Sequence, residues 1–331
     1  MQLLVLGGTA FLGAAVCRAA RDAGHDVTAL ARGRSGTVPD GVRWVRADRD
    51  GDDALAEVRT RPWDAVVDVA HQPGHVRRAV RDLAPVADHY VFVSSISAYA
   101  EGSGGHDEDS TPLLPALQAD EMRTPEDYGP AKVAAEQHAV TGFGADRSLL
   151  VRAGLIAGPG DRSGRSGYWP WRLAHPGTAD GCVLVPDAGD QPVQMVDVRD
   201  LAAWIVDAAA RRVSGGIDAT GPELRLTDVL EVARAVAGHH GPLATAPSAW
   251  LVDQGVAAWA GPHSLPLWLG GDSTAYPMMQ RDCTRARSHG LVTRSLAQTF
   301  ADELATLDGP PPRSGLSDEQ HRTLLDALDR L

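Results

Sequence analysis

The chain has 331 residues, 44% of them hydrophobic, a formal net charge of -12 and three cysteines. It is long enough for one large or two modest domains with ordinary cores, and its acidity argues against nucleic acid and anionic membranes as partners. Cys17, Cys182 and Cys283 are too scattered for a disulfide framework or a zinc site and no apolar run nears membrane-spanning length, so a cytoplasmic protein with a small-molecule ligand and no metal is expected.

In chain order, short apolar runs at 2–6, 26–31, 42–46, 65–69, 90–94 and 148–152 read as strands, and amphipathic stretches at 12–23, 54–60, 76–84 and 131–141 read as helices. Alternation of this kind predicts an α/β fold, a doubly wound parallel sheet of Rossmann-like type, with ligands at the carboxyl ends of the strands. After about residue 158 the composition shifts to Gly, Pro and Trp, which predicts a smaller substrate-binding or lid domain over 159–308. A strand and helix at 193–210 are expected to return to the dinucleotide-binding domain formed by 1–158. The last part, 309–331, reads as a helical tail in which Ser317 and Gln320 form a capping box ahead of Leu324, Leu325 and Leu328.

Gly7, Gly8, Thr9, Ala10, Phe11, Leu12 and Gly13 follow the first predicted strand and open the first helix. Glycines there permit a tight turn and bring a pyrophosphate close to the helix N-terminus, whose free amides and dipole favour anions. Ala10 stands where a middle glycine is usual and adds one methyl group. A carboxylate for the ribose 2′-hydroxyl of NAD is expected about 20 residues further on. The chain instead reads Arg32, Gly33, Arg34 and Ser35, and guanidinium forks suit a 2′-phosphate. NADP(H) is therefore expected over NAD(H). Asp48, ahead of Arg49 at the end of the third strand, is placed to accept from an adenine amino group.

Lys132 is the one lysine among 31 basic residues, four positions after Tyr128. On a helix this spacing puts both on one face, and an ammonium beside a phenol favours phenolate, lowering its pKa from about 10. Tyr128 then suits general acid or base work. Upstream, an apolar strand runs into Ser94, Ser95 and Ser97.

With these motifs in order, the chain resembles the short-chain dehydrogenase/reductase superfamily, in its extended or atypical NAD(P)-dependent epimerase/dehydratase-like branch. The glycine loop, Asp48 to Asp50, Ser94 to Tyr99, Tyr128 to Lys132 and residues 151–161 carry the resemblance, and residues 192–202 add a sixth segment. It implies that Ser95 polarises the substrate oxygen, Tyr128 moves the proton, and Lys132 binds the nicotinamide ribose and tunes Tyr128. Ser97 is the competitor for the serine role. The resemblance also puts Gly7, Thr9, Ala10, Phe11, Leu12, Gly13, Arg32, Arg34, Asp48, Arg49 and Ala70 in the cofactor region, and implies a homodimer paired through helices flanking the tyrosine. Two departures stand out. The helix before the serine strand lacks the asparagine with which the family often supports a proton relay, leaving His71, Gln72 and His75 as nearby polar groups. The Asp-Glu pair of sugar-nucleotide dehydratases is also missing after Ser95, which disfavours dehydration.

On the substrate side, aromatic residues of the second half, Trp169 among them, are expected to line a pocket, with Gln194 and His263 as polar contacts. The expected activity is reversible hydride transfer to a carbonyl or from a secondary alcohol of a small metabolite or natural product. The alternatives are a nucleotide-sugar epimerase, for which Arg165, Arg172, Arg199 and Arg281 could meet a diphosphate, and a non-catalytic NADP-sensing protein.

Overall fold

A computed structural model describes residues 1–100, 106–311 and 313–330. The chain divides into two compact units: Met1–Gly154, Val198–Thr220 and Arg281–Thr293 form the first, and Leu155–Asp197, Gly221–Gln280 and Arg294–Leu331 the second.

In the first unit β1 (Gln2–Leu6), α1 (Phe11–Asp22), β2 (Asp26–Leu30), β3 (Arg43–Val45), β4 (Ala65–Asp68), α2 (Pro73–Leu83), β5 (Tyr90–Ser95), α3 (Tyr128–Phe143) and β6 (Ser148–Ala153) follow one another. The chain re-enters the unit as α4 (Val198–Ala210) and β7 (Gly215–Ala219). Among the described residues the large sheet has seven strands in the order β7-β6-β5-β4-β1-β2-β3, every pairing parallel. The winding reverses between β1 and β4, and ligands of such sheets sit outside the carboxyl ends of the strands at that point.

The residues explain the architecture. Leu3, Leu4, Val5 and Leu6 are all 0% exposed, as a strand covered on both faces requires. Leu4, Leu6, Val66, Phe92 and Leu150 pack with Val76, Leu83, Ala139 and Phe143 beneath α2 and α3. Each buried Leu, Val or Phe among them contributes roughly 1.5–3 kcal/mol. On α3 the lone lysine is buried in a stretch that also buries Ala131, Val133, Ala134, Ala135, Glu136 and Ala139.

Three elements differ from expectation. Residues 54–60 form turns and a short 3₁₀ segment, Val58–Thr60, in place of a helix; the buried anchors Leu55 and Val58 are three apart, which suits a 3₁₀ turn. Helix α3 starts at Tyr128 rather than residue 131, so tyrosine and lysine share its first turns. The strand expected to return near residue 193 stays in the second unit, where Met195–Asp197 pairs with Leu155–Ala157. It is β7, a short Gly-Gly-Ile-Asp-Ala stretch with a weak apolar signal, that joins β6.

The second unit is built from small two-stranded sheets, including Val183–Asp187 with Leu243–Pro247, and from helices such as Leu226–Ala237 and Leu296–Leu304. Its core corrects the expectation for the aromatic residues. Trp169 and Trp268 are 0% exposed and pack with Tyr168, Phe300 and Leu184, and the Trp169 indole donates to the Pro266 carbonyl at 2.7 Å. With few long apolar strands, this unit fills its interior with large rings, and Trp169 is one of these core residues. The capping box at Ser317 and Gln320 is present, and its helix, Asp318–Leu328, packs Leu324 and Leu325 into the same core. The proline run at 310–312 extends beyond the described residues at Pro312.

Candidate active site

Strand β1 ends at Leu6, and Gly7 turns the chain at a φ of +96° into the N-terminus of α1. Gly7 has a structural reason for lacking a side chain, because a Cβ there would lie 2.5 Å from Val69. Gly13 has another: its Cβ would lie 2.2 Å from the Gly7 carbonyl oxygen, so the helix can settle onto the loop only without one. The cap residue Ala10 offers no side-chain hydrogen bond, and the first turn carries no acidic residue. The leading amides of α1 are thus left for an anion.

Beside this turn lies a pocket of about 390 Å³ lined by Gly7, Thr9, Ala10, Arg32, Arg34, Ser35, Arg49, Ala70, His71 and His75, among others. Of the residues expected to bind the cofactor, Phe11, Leu12, Gly13, Asp48 and Lys132 stay outside this lining. The helix N-terminus, the glycine cradle and a pocket edged by two arginines and a serine fit a dinucleotide. Arg32 sits 3.5 Å from both Asp48 and Asp50, so Asp48 is paired with a cation here. Arg49 reaches the pocket wall, but its guanidinium is turned onto Asp68 in a bidentate pair at 2.6 and 2.7 Å.

Asp68 and its neighbours form a network that was not read from the sequence. The Tyr90 hydroxyl donates to Asp68 at 2.6 Å and the Ala70 amide at 2.9 Å. Burial opposes ionisation of this carboxyl, but Arg49 and these donors hold it below the usual carboxylate range. An apolar strand closing on an aspartate, Ala65-Val66-Val67-Asp68, was the available signal. The effect is to fix the backbone that leaves β4, including the carbonyl of Ala70.

That carbonyl receives Lys132. The ammonium, 3% exposed, donates to Ala70 O and Val93 O, each at 2.8 Å, and so ties the ends of β4 and β5 to α3. It stands 4.9 Å from the Phe92 ring centre and 5.8 Å from that of Tyr128. Burial pulls its pKa down to about 8, with Asp68 and Glu136 acting in the opposite direction. One turn further along α3, Glu136 takes a bidentate pair from Arg152 at 3.0 and 2.8 Å. Arg152 also donates to the Tyr99 hydroxyl, which donates to Asp218, and Asp218 accepts in turn from Arg281.

Ser95 closes β5. Its hydroxyl accepts from the Ser97 amide at 3.1 Å and donates to the Ser97 hydroxyl at 3.2 Å, so the two serines form one turn. Helix α3 lies directly against it, because a Cβ on Gly129 would come within 2.2 Å of the Ser97 carbonyl oxygen. On the other side of Tyr128 is His71, with ring centres 6.0 Å apart and planes tilted by 42°. Burial and then the Lys132 cation push the His71 pKa down to about 4, although part of the residue stays open to solvent. Ser95, Ser97, Tyr128, Lys132 and Ala70 are thus gathered at the carboxyl ends of β4 and β5. Trp169, Gln194 and His263 belong to the second unit, where Gln194 is buried and donates to the Gly221 carbonyl at 3.4 Å and the His263 ring meets the Gln254 carbonyl at the same distance.

A fold with this strand order and a glycine turn opening α1 defines a dinucleotide-dependent enzyme class, and the sequence agrees. The NAD dependent epimerase/dehydratase family profile matches residues 3–218, and the chain belongs to that family, whose members are NAD(P)-dependent oxidoreductases and epimerases. The chain is 31% identical over 226 residues to a 2′-dehydrokanamycin reductase of Streptomyces kanamyceticus, a match spanning 66% of this chain and 60% of the relative. Its fold is similar to that of a UDP-glucuronic acid 4-epimerase from Bacillus cereus solved with NAD, with a TM-score of 0.64 and 16% identity over 92% of this chain and 98% of that one. It is also similar to a UDP-glucose 4-epimerase from Thermotoga maritima solved with UDP-glucose, with a TM-score of 0.68 and 15% identity over the same shares. Among the described residues no helix is long and apolar enough to cross a membrane.

Proposed function

We propose that the protein is an NADP(H)-dependent reductase that transfers hydride reversibly between the cofactor and a carbonyl or secondary alcohol carbon of a small polar metabolite, of the keto-sugar kind. The observation that carries this reading is the placement of Lys132, hydrogen-bonded to Ala70 O and Val93 O and one turn along α3 from Tyr128, beside the pocket that Ala70 helps to line. Bound cofactor supplies or takes the hydride. The protein's part is positional and electrostatic. Tyr128 gives a proton to the substrate oxygen during reduction, and the Lys132 cation favours the phenolate left behind. Ser95 turns its hydroxyl hydrogen from Ser97 Oγ to the same substrate oxygen, while the Ser97 amide, which donates to Ser95 Oγ, fixes that hydroxyl in place. Lys132 has a third N–H for the nicotinamide ribose, and the open amides of α1 take the pyrophosphate.

The preference for NADP(H) rests on Arg32, Arg34 and Ser35 lining the pocket, where no carboxylate follows β2 to meet a ribose 2′-hydroxyl. The relative that reduces a dehydrokanamycin supports a ketone on an amino-sugar ring as the first substrate to try. Purified protein is expected to oxidise NADPH with 2′-dehydrokanamycin, and Tyr128→Phe to abolish that turnover while NADPH binding, read by fluorescence titration, stays within about twofold. Turnover retained by Tyr128→Phe would rule out the mechanism.

Family membership keeps a nucleotide-sugar epimerase as the second reading, though two of its four candidate arginines are committed elsewhere. Arg172 is buried on Leu316 O and Asp318, and Arg281 on Asp218. Cofactor that copurifies without exchange, and no net NADPH consumption, would favour the epimerase. A reducing, cytoplasmic setting suits the three free cysteines, and light scattering of the purified protein tests the proposed homodimer.

A further inference from the structure

Every reduction removes one proton from Tyr128, and that proton must come back from water before the next turnover. Lys132 is poorly placed to deliver it: the ammonium is 3% exposed and holds two backbone carbonyls. His71 is placed differently. It follows Ala70, lines the pocket, has its ring centre 6.0 Å from that of Tyr128 and is solvent-accessible. The mechanism proposed above gives it no task. The charged and titratable groups around it are Lys132 and Tyr128 on α3 and His75 on α2, the last held at 2.6 Å by Asp50. Lys132 and His75 both disfavour a second cation at this position, so the imidazole is neutral and carries one N–H and one lone pair on opposite nitrogens.

We propose that His71 returns the proton from water to Tyr128 after each reduction. This rests on the reading of Tyr128 as proton donor. In the step, the phenolate oxygen takes the proton from the nearer imidazole nitrogen, directly or through one water. The farther nitrogen gains a proton from hydronium as that N–H breaks. One O–H bond forms on Tyr128, the ring stays neutral, and one solvent proton is consumed, as the reduction of a carbonyl by NADPH requires. Exchange with water then restores the starting tautomer, and oxidation runs the step backwards.

The test is steady-state reduction of 2′-dehydrokanamycin by NADPH, in H₂O and D₂O. His71→Phe keeps a ring beside Tyr128 but has no exchangeable proton; it is expected to lower kcat roughly 10- to 100-fold, to hold both KM values within about twofold and to raise the solvent isotope effect. In His71→Ala, added imidazole is expected to restore most of the lost kcat, and circular dichroism establishes that both variants fold. His71→Gln, which keeps polarity without acid–base exchange, should match His71→Phe. Wild-type kcat and isotope effect in His71→Phe would overturn the relay, as would an Ala variant that imidazole cannot rescue. Loss of turnover in Tyr128→Phe together with normal turnover in His71→Phe removes the relay alone, whereas turnover in Tyr128→Phe removes the reading beneath it.

Discussion

Lys132 shows how one side chain can be costly to the fold and, under the proposed mechanism, needed by the chemistry. Its pKa near 8 lies below the ordinary value of 10.5. Between these two pH values the unfolded chain keeps the proton that the folded chain has released, so this group makes stability rise with pH across that window. Below about 8 both states are protonated and the rise is absent. Urea midpoints measured at pH 7.5, 9 and 10 should carry this increment in the wild type, and Lys132→Met should lack it while also losing turnover. Arg32 and Arg34 make a second residue-scale case. A charge-assisted hydrogen bond is worth about 1.5–3 kcal/mol, so replacing both by alanine should raise KM for NADPH on the order of 10- to 100-fold with little change for NADH. Equal losses for the two cofactors would refute the phosphate assignment. The sequence marks Ser95, Tyr128 and Lys132 by residue type and spacing, and the structure gathers them at the end of β5 and the start of α3. Asp68, Glu136 and Arg152 are not marked in this way, because a buried ion pair has partners far apart in the chain and no local spacing to mark it.

Among the elements, the contact between α3 and the serine turn is one of the close joints of the site. Gly129→Ala places a methyl group 2.2 Å from Ser97 O and 2.6 Å from Leu114, so the helix must shift away from the turn. Overpacking of this kind costs about 1–3 kcal/mol, and activity should fall further than stability because Tyr128 is the adjacent residue. A Gly129→Ala enzyme with wild-type kcat would show that the joint has slack. Strands β1, β2, β4, β5 and β6 were legible within a residue or so, since burial on both faces leaves continuous apolar runs. β7 was missed because two of its five residues are glycines, and its place is decided by pairing with β6 rather than by local pattern. For Trp169 and Trp268 the limit is related: ring content alone does not distinguish a pocket wall from the core in which both lie.

On the scale of the whole molecule, the buried carboxyl of Glu303 ties stability to pH through the second unit. Burial, then Asp161, raise its pKa to about 8, while the Ser166 hydroxyl that donates to it at 2.9 Å acts in the opposite direction. From about pH 4.5 to 8 the folded chain holds a proton that the unfolded chain has lost, so this group makes stability fall as pH rises through that range. Glu303→Gln should flatten the fall, giving a higher urea midpoint than the wild type at pH 8 and a similar one at pH 5. A parallel pH profile in the variant would show that the carboxyl does not titrate there. The order in which the first unit closes has a consequence for synthesis. Strand β6 acquires its outer neighbour only when β7 has been made, and Asp218 on β7 meets its partner Arg281 later still. A nascent chain released near residue 154 would present β6 as a bare edge, open to pairing with another chain. Fragments that stop there should therefore aggregate, and the ribosome must deliver the chain as far as Thr293 before the first unit is complete.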